Sequence, residues 1–288
     1  SNVLLCGSAV NIKGGLTVTA GTYTTNSAAD GSGTDYALTV TGQLTASGGA
    51  LLLNDSTVSF GAVMAIGNAG TVTCANTNLT THSFSLGQGS FTAPSASGSF
   101  IITNETAHLA FDYDGNGFVH NGGTIDIRTE ATTLVDFTPN DAAHIDINNV
   151  IINHADCIAT LPSAGGIGGD LTITAGKFDC AGYDLSVGSV TIASGAEFKA
   201  SSGTTTITGT TNAAYAWIPT GTFTHNKGKV KFLTESTDME MWITSGSKFY
   251  DLEIDSADPA GVYFYANEIY GDLTVTDGPF QAYTSSTN

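Results

Sequence analysis

Basic residues are nearly missing from this chain. Its 288 residues include 8 Lys and Arg against 26 Asp and Glu, a net charge of −18. Apart from Lys13 and Arg128, no cation occurs before Lys177. Nucleic-acid binding is therefore excluded, because it needs a cationic surface to displace counterions from phosphates. An anionic membrane would repel the chain as well. Charge of either sign is scarce, at 12% of residues against roughly 25% in an average soluble domain. No apolar run is long enough to span a bilayer. The four cysteines, Cys6, Cys74, Cys157 and Cys180, form no CxxC pair and no Cys/His cluster with zinc spacing. They are expected to behave as small core hydrophobes, although Cys157 and Cys180 could bridge if they stack on adjacent coils. No nucleophile elbow, P-loop or dinucleotide fingerprint is present, and no stretch keeps a helical period.

What the chain does have is glycine, 35 residues of it, with Thr, Ser, Ala and Asn filling most other positions. Threonine fits an exposed pleated surface, and 41% hydrophobic residues supply a core. The acidity keeps such a surface dispersed. A nine-residue template occurs three times, over 15–23, 170–178 and 272–280, and reads L-T-[VI]-T-x-G-x-[FY]. Apolar residues alternating with Thr describe a half-buried strand. The following glycine permits a tight turn at positive φ, after which an aromatic re-enters the core.

Longer blocks match too. Phe118–Ile127 aligns with Phe223–Phe232, and Asn149–Asn153 with Asp251–Asp255. The offsets are 105 residues (118 to 223) and 102 (149 to 251, and 169 to 271). The expected organisation is a first solenoid unit over 1–168 with extra coils between about Val58 and Gly117. A second unit follows over 169–270, and an incomplete third over 271–288. A solenoid accepts added coils because each coil touches only its neighbours. Short strands every eight to twelve residues, separated by Gly, Ser or Asn, read best as a β-helix, with tandem β-sandwiches as the alternative. The Gly/Ser/Asp-rich insert around Asp30-Gly31-Ser32-Gly33 reads as a surface loop. The chain opens without Met or a signal-peptide pattern, which suits a mature, processed or partial product. No capping element follows Gln281, so the polypeptide is expected to continue or to meet another chain there.

The candidate chemistry is thin. Asp112, Asp114 and Asn116 in the run DYDGNG place oxygen ligands at alternate positions, as calcium loops do. Gly123 stands where a bidentate Glu belongs, so the bland reading is a turn. His120-Asn121 and His225-Asn226 occupy equivalent repeat positions, which argues for a structural role. His144 and His154, with Asp146 and Asp156, are a conceivable metal set. Carboxylates beside aromatics (Glu235, Asp238 and Glu240 near Trp242; Asp251, Glu253 and Asp255 near Tyr250) are the places to look for glycan cleavage. The last three alternate along one strand, which marks a wet face. Aromatics concentrate in the C-terminal third, and Trp242, Tyr263 and Tyr265 are the candidates for glycan or partner contact.

The L-T-[VI]-T-x-G-x-F and G-x-F-x-H-N-x-G-x-[VI]-x-[FI] blocks resemble repeats of bacterial autotransporter and filamentous-adhesin β-helices. They resemble equally the repeats of bacteriophage fibre and virion structural proteins. The resemblance implies a right-handed parallel β-helix, rod-like, at an extracellular, virion or cell-surface location. It implies other structural subunits or a homotrimer as partners, and no catalytic residues. The expectation is a non-enzymatic structural or adhesive element without cofactor, calcium aside. A tailspike-like solenoid that binds or cleaves glycans is the alternative.

Overall fold

A computed structural model describes all residues except 1, 105–108, 114–116, 139–146, 210–214, 235–240, 258–260, 266 and 284–288. The described residues form strands and turns and no helix. The strand ladders are parallel, each strand pairing with one a coil away. An isolated antiparallel bridge joins Asn26 and Asp35 within one loop. Sandwiches are built from antiparallel hairpins, so the tandem-sandwich alternative falls. The fold is a parallel β-solenoid, as the alternating strand pattern predicts.

The chain divides into two compact units, 1–149 and 150–288. In the first, each coil has three sides. Val3–Leu5, Thr22–Thr24, Ala50–Asn54, Thr71–Cys74, Ser90–Thr92 and Phe118–Val119 stack as one six-stranded side. Along each strand the apolar residue turns inward and its neighbour outward. Leu38 and Val40 are fully buried while Thr39 between them is exposed. The interior is aromatic: Phe84 lies 5.1 Å from Phe111, stacked, and 4.9 Å from Phe91, which is 5.5 Å from Phe118.

Coil length varies without disturbing the stack. Val10 pairs with Leu38, 28 residues on, whereas Leu79 pairs with Phe100, 21 residues on. The longer coil carries the 26–35 loop, which buried Asn26 organises. Its Oδ1 accepts from the N–H of Ala28 (2.8 Å) and Gly33 (2.9 Å), and its Nδ2 donates to Asp35 Oδ1 (2.8 Å).

The second unit has the same plan. Side one stacks 165–167, 185–187, 205–207, 230–232, 252–254 and 273–275. Side two stacks 150–152, 171–173, 190–192, 217–219, 241–243, 262–265 and 280–283. Side three stacks 158–160, 177–179, 197–199 and 222–224, and also holds the pair Lys248–Phe249 and Glu268–Ile269. The geometric repeat is one coil of about twenty residues: Leu171 to Val190 takes 19. Blocks matched at the 102-residue offset land on different sides. Val150 pairs with Leu171 on side two, and Leu252 with Leu273 on side one. The L-T-[VI]-T pattern encodes a half-buried strand, and any side of the coil can use it.

Candidate functional site

The two His-Asn corners are built alike. Asn121 (φ 50°) and Asn226 (φ 51°) take left-handed backbone, which Asn tolerates better than other side chains. Each Nδ2 donates to a carbonyl of the preceding coil, Ala93 O at 3.2 Å and Ala200 O at 3.3 Å. His120 Nδ1 accepts from the Gly122 N–H and His225 Nδ1 from the Lys227 N–H, both at 2.9 Å. These histidines close turns, as their recurrence predicts. Asn226→Ala loses both a left-handed-tolerant residue and an inter-coil bond. It is expected to lower stability by about 1–2 kcal/mol, read by urea denaturation, and Asn226→Gly should recover part of that loss.

Of the carboxylates offered for hydrolysis, Glu235, Asp238 and Glu240 lie outside the described residues. Asp251, Glu253 and Asp255 point outward from Asp251–Ser256, and the preceding strand meets them with cations. Lys229 reaches Glu253 at 2.7 Å, and Lys231 reaches Glu253 at 3.1 Å and Asp255 at 2.6 Å. Asp251 Oδ1 accepts from the Asp272 N–H at 2.9 Å. Side three carries a second such ladder, with Lys177 and Lys199 on Asp179, and Lys177 on Glu197. Hydrogen bonds from Lys229 and then Lys231 hold the Glu253 carboxyl below its ordinary range. A general acid needs the opposite shift. The stabilisation from Glu253 is present above the ordinary Glu value of about 4.3. It is lost as pH falls through the lowered value, because protonation then removes the ion pairs. Glu253→Gln should cost about 0.5–1 kcal/mol at pH 7. The gap from the parent in thermal melting should narrow as pH falls below the ordinary Glu range.

The calcium hypothesis is represented by one residue: Asp112 Oδ2 accepts from Ser85 Oγ at 3.1 Å. Asp114 and Asn116 lie outside the described residues, as do His144 and Asp146. His154 Nδ1 accepts the Asp156 N–H at 3.3 Å. No group of three or more His, Cys, Asp or Glu side chains is placed to hold a metal among the described residues. All four cysteines are buried and none is in a disulfide, so the Cys157–Cys180 bridge is not formed. Both thiols face the core, and burial pushes the Cys74 thiol up to about 12 and the Cys180 thiol upward too.

Side two differs from the other sides. Trp242, Tyr263 and Tyr265 come together there, joined by Tyr215 and Tyr283, which no sequence pattern singles out. Trp242 lies 5.3 Å from Tyr215, 5.3 Å from Tyr263 and 5.9 Å from Tyr265. Tyr283 stacks on Tyr265 at 5.1 Å and on Tyr263 at 6.0 Å. Tyr215 pairs with Trp242 and Trp242 with Tyr263 in the ladder, one outward row over successive coils, while Tyr265, which is buried, pairs with Tyr283 two positions along. Tyr215 is 46% exposed, and Trp242 and Tyr263 are half-buried. The signal was the coil period: these residues recur at one-coil spacing, invisible until coil length is known.

No family model, curated protein or solved structure matches the chain. Its function is read from its own geometry, and its likeness to parallel β-helix proteins rests on the stacked coils. Among the described residues, no helix is long and apolar enough to cross a membrane.

Proposed function

We propose that this chain is a non-enzymatic structural or adhesive β-solenoid of a virion, such as a phage fibre or decoration protein, or of a cell-surface filament. It would assemble with other structural subunits or as a homotrimer. The supporting observation is where the ionisable side chains go. Lys177, Lys199, Lys229 and Lys231 are tied to carboxylates of their own or adjacent coils. Such ladders fix coil register and leave surface as the product of the fold. Immunogold microscopy of native material is the test, with label expected on the outer surface of virions or cells. Label confined to the cell interior would overturn the reading. So would release of reducing ends from envelope polysaccharide by the purified chain. A second reading, glycan binding, is favoured by the outward row of Tyr215, Trp242 and Tyr263, with the Tyr283 ring stacked on Tyr263.

A further inference from the structure

Charge is distributed unequally over the second unit. Side one carries Lys229, Lys231, Asp251, Glu253 and Asp255, and side three carries Lys177, Asp179, Glu197, Lys199, Lys248 and Glu268. The outward positions of side two are different. Ile151 pairs with Thr172, Thr172 with Thr191, and Thr191 with Ile218. The neighbouring row runs from Tyr215 through Trp242 and Tyr263 to Gln281. Among the described residues, one carboxylate, Asp170, stands at the margin of this ladder, and it accepts a 2.6 Å bond from Ser189 Oγ. In a chain of net charge −18, the described residues of side two, lined with rings and hydroxyls and almost charge-free, are set apart from the rest.

We infer that side two of the second unit is a binding face for an uncharged, extended polysaccharide lying along the stack of coils; the inference rests on the adhesive, glycan-binding reading above. Three features select this occupant. First, size: seven strands at ~4.8 Å separation span roughly 29 Å, and three residues across give ~10 Å. The resulting area of about 300 Å² is well under the ~800 Å² per partner that a stable protein interface buries. A single linear sugar chain needs only such a narrow track. Second, chemistry: aromatic rings offer apolar area to the C–H faces of sugars, and Thr172, Thr191 and Gln281 offer polar groups to their hydroxyls. The rings recur at 5.3–6.0 Å from coil to coil, so a polymer of repeating rings can meet several in succession. Third, charge: the field of a strongly acidic chain repels uronate or sulfated polymers, and among the described residues side two carries no cation to offset it.

Affinity electrophoresis of the full chain through gels loaded with neutral polymers (hydroxyethylcellulose, mixed-linkage β-glucan, galactomannan) or acidic ones (alginate, hyaluronan) tests this. Retardation by at least one neutral polymer and by neither acidic one is expected. Trp242→Ala should weaken the retardation about tenfold or more, as loss of a central aromatic does. Because Trp242 points outward, an unchanged melting temperature separates lost binding from lost fold. Thr191→Glu, which adds a charge to the track without removing a ring, should weaken it as well. Retardation by acidic polymers alone, or neutral retardation indifferent to both substitutions, overturns the proposed face while leaving a glycan-binding adhesin standing. Absence of retardation in every gel, with self-association abolished by Trp242→Ala, overturns it and reassigns the strip to contact between copies. If immunogold label lies inside the cell, the adhesive reading fails with it.

Discussion

Trp217→Ala is expected to unfold much of the second unit at temperatures where the parent chain is intact. Trp217 is fully buried among four rings: Phe223 at 4.8 Å, Phe249 at 5.6 Å, Phe198 at 6.0 Å and Phe232 at 6.2 Å. These rings come from consecutive coils, so the indole ties a coil to those on either side. Truncating a buried aromatic costs about 3–5 kcal/mol through lost transfer energy and the cavity left behind. A further cost arises at Ser247, whose buried Oγ accepts the indole N–H at 2.7 Å and would lose that partner. Trp217→Phe should do less harm, since it keeps most of the volume but still leaves Ser247 without the donor. In a stack where each coil touches its neighbours, the damage should begin in the coils around 190–264. Hydrogen exchange would then show protection lost there before the 71–127 coils. Uniform loss across the whole chain would mean that the units fold as one cooperative block.

The alternation that buries Phe198 and leaves Glu197 and Lys199 half-buried was readable from residue types, because period two is written into each strand. So was the equivalence of the His-Asn corners, because the same backbone demands call for the same residues twice. The coil length was not readable. Turns of differing length separate strands that all obey one pattern, so aligning blocks by similarity joined Leu171 to Leu273 although they lie on different sides. The same ambiguity hid the aromatic strip. Trp242, Tyr263 and Tyr265 are close in sequence and stand out as a cluster. Tyr215 and Tyr283 join them only through the register of coils on either side. The charge ladders were hidden for the same reason: Lys229 and Lys231 are 24 residues from Glu253 and Asp255. Alternation showed that the acids are outward, but their cations became visible only with strand pairing.

The glycine of the L-T-[VI]-T-x-G template bears the second large prediction. Gly21, Gly176 and Gly278 all take positive φ, at 73°, 78° and 74°, so the conformational part of the argument was visible in the sequence. A second part comes only from stacking. A Cβ on Gly176 would lie 2.3 Å from the carbonyl oxygen of His154 and 2.5 Å from that of Cys157, both in the preceding coil. At Gly278 the same role falls to Ser256 O, 2.3 Å away. The turn is therefore tight along the stack as well as within its own backbone, and both neighbours are main-chain atoms that move only with their strand. Left-handed backbone costs a residue with a Cβ about 1–2 kcal/mol, and the steric conflict adds to it. Gly176→Ala is expected to lose at least about 3 kcal/mol, well beyond the range of ordinary surface substitutions. Gly195 provides the control. It has φ 86° but no atom within 4 Å of an added Cβ, so Gly195→Ala should cost only the backbone part. Equal losses at the two positions, measured by chemical denaturation, would show that the coils can part to admit a methyl group and that φ alone explains the template.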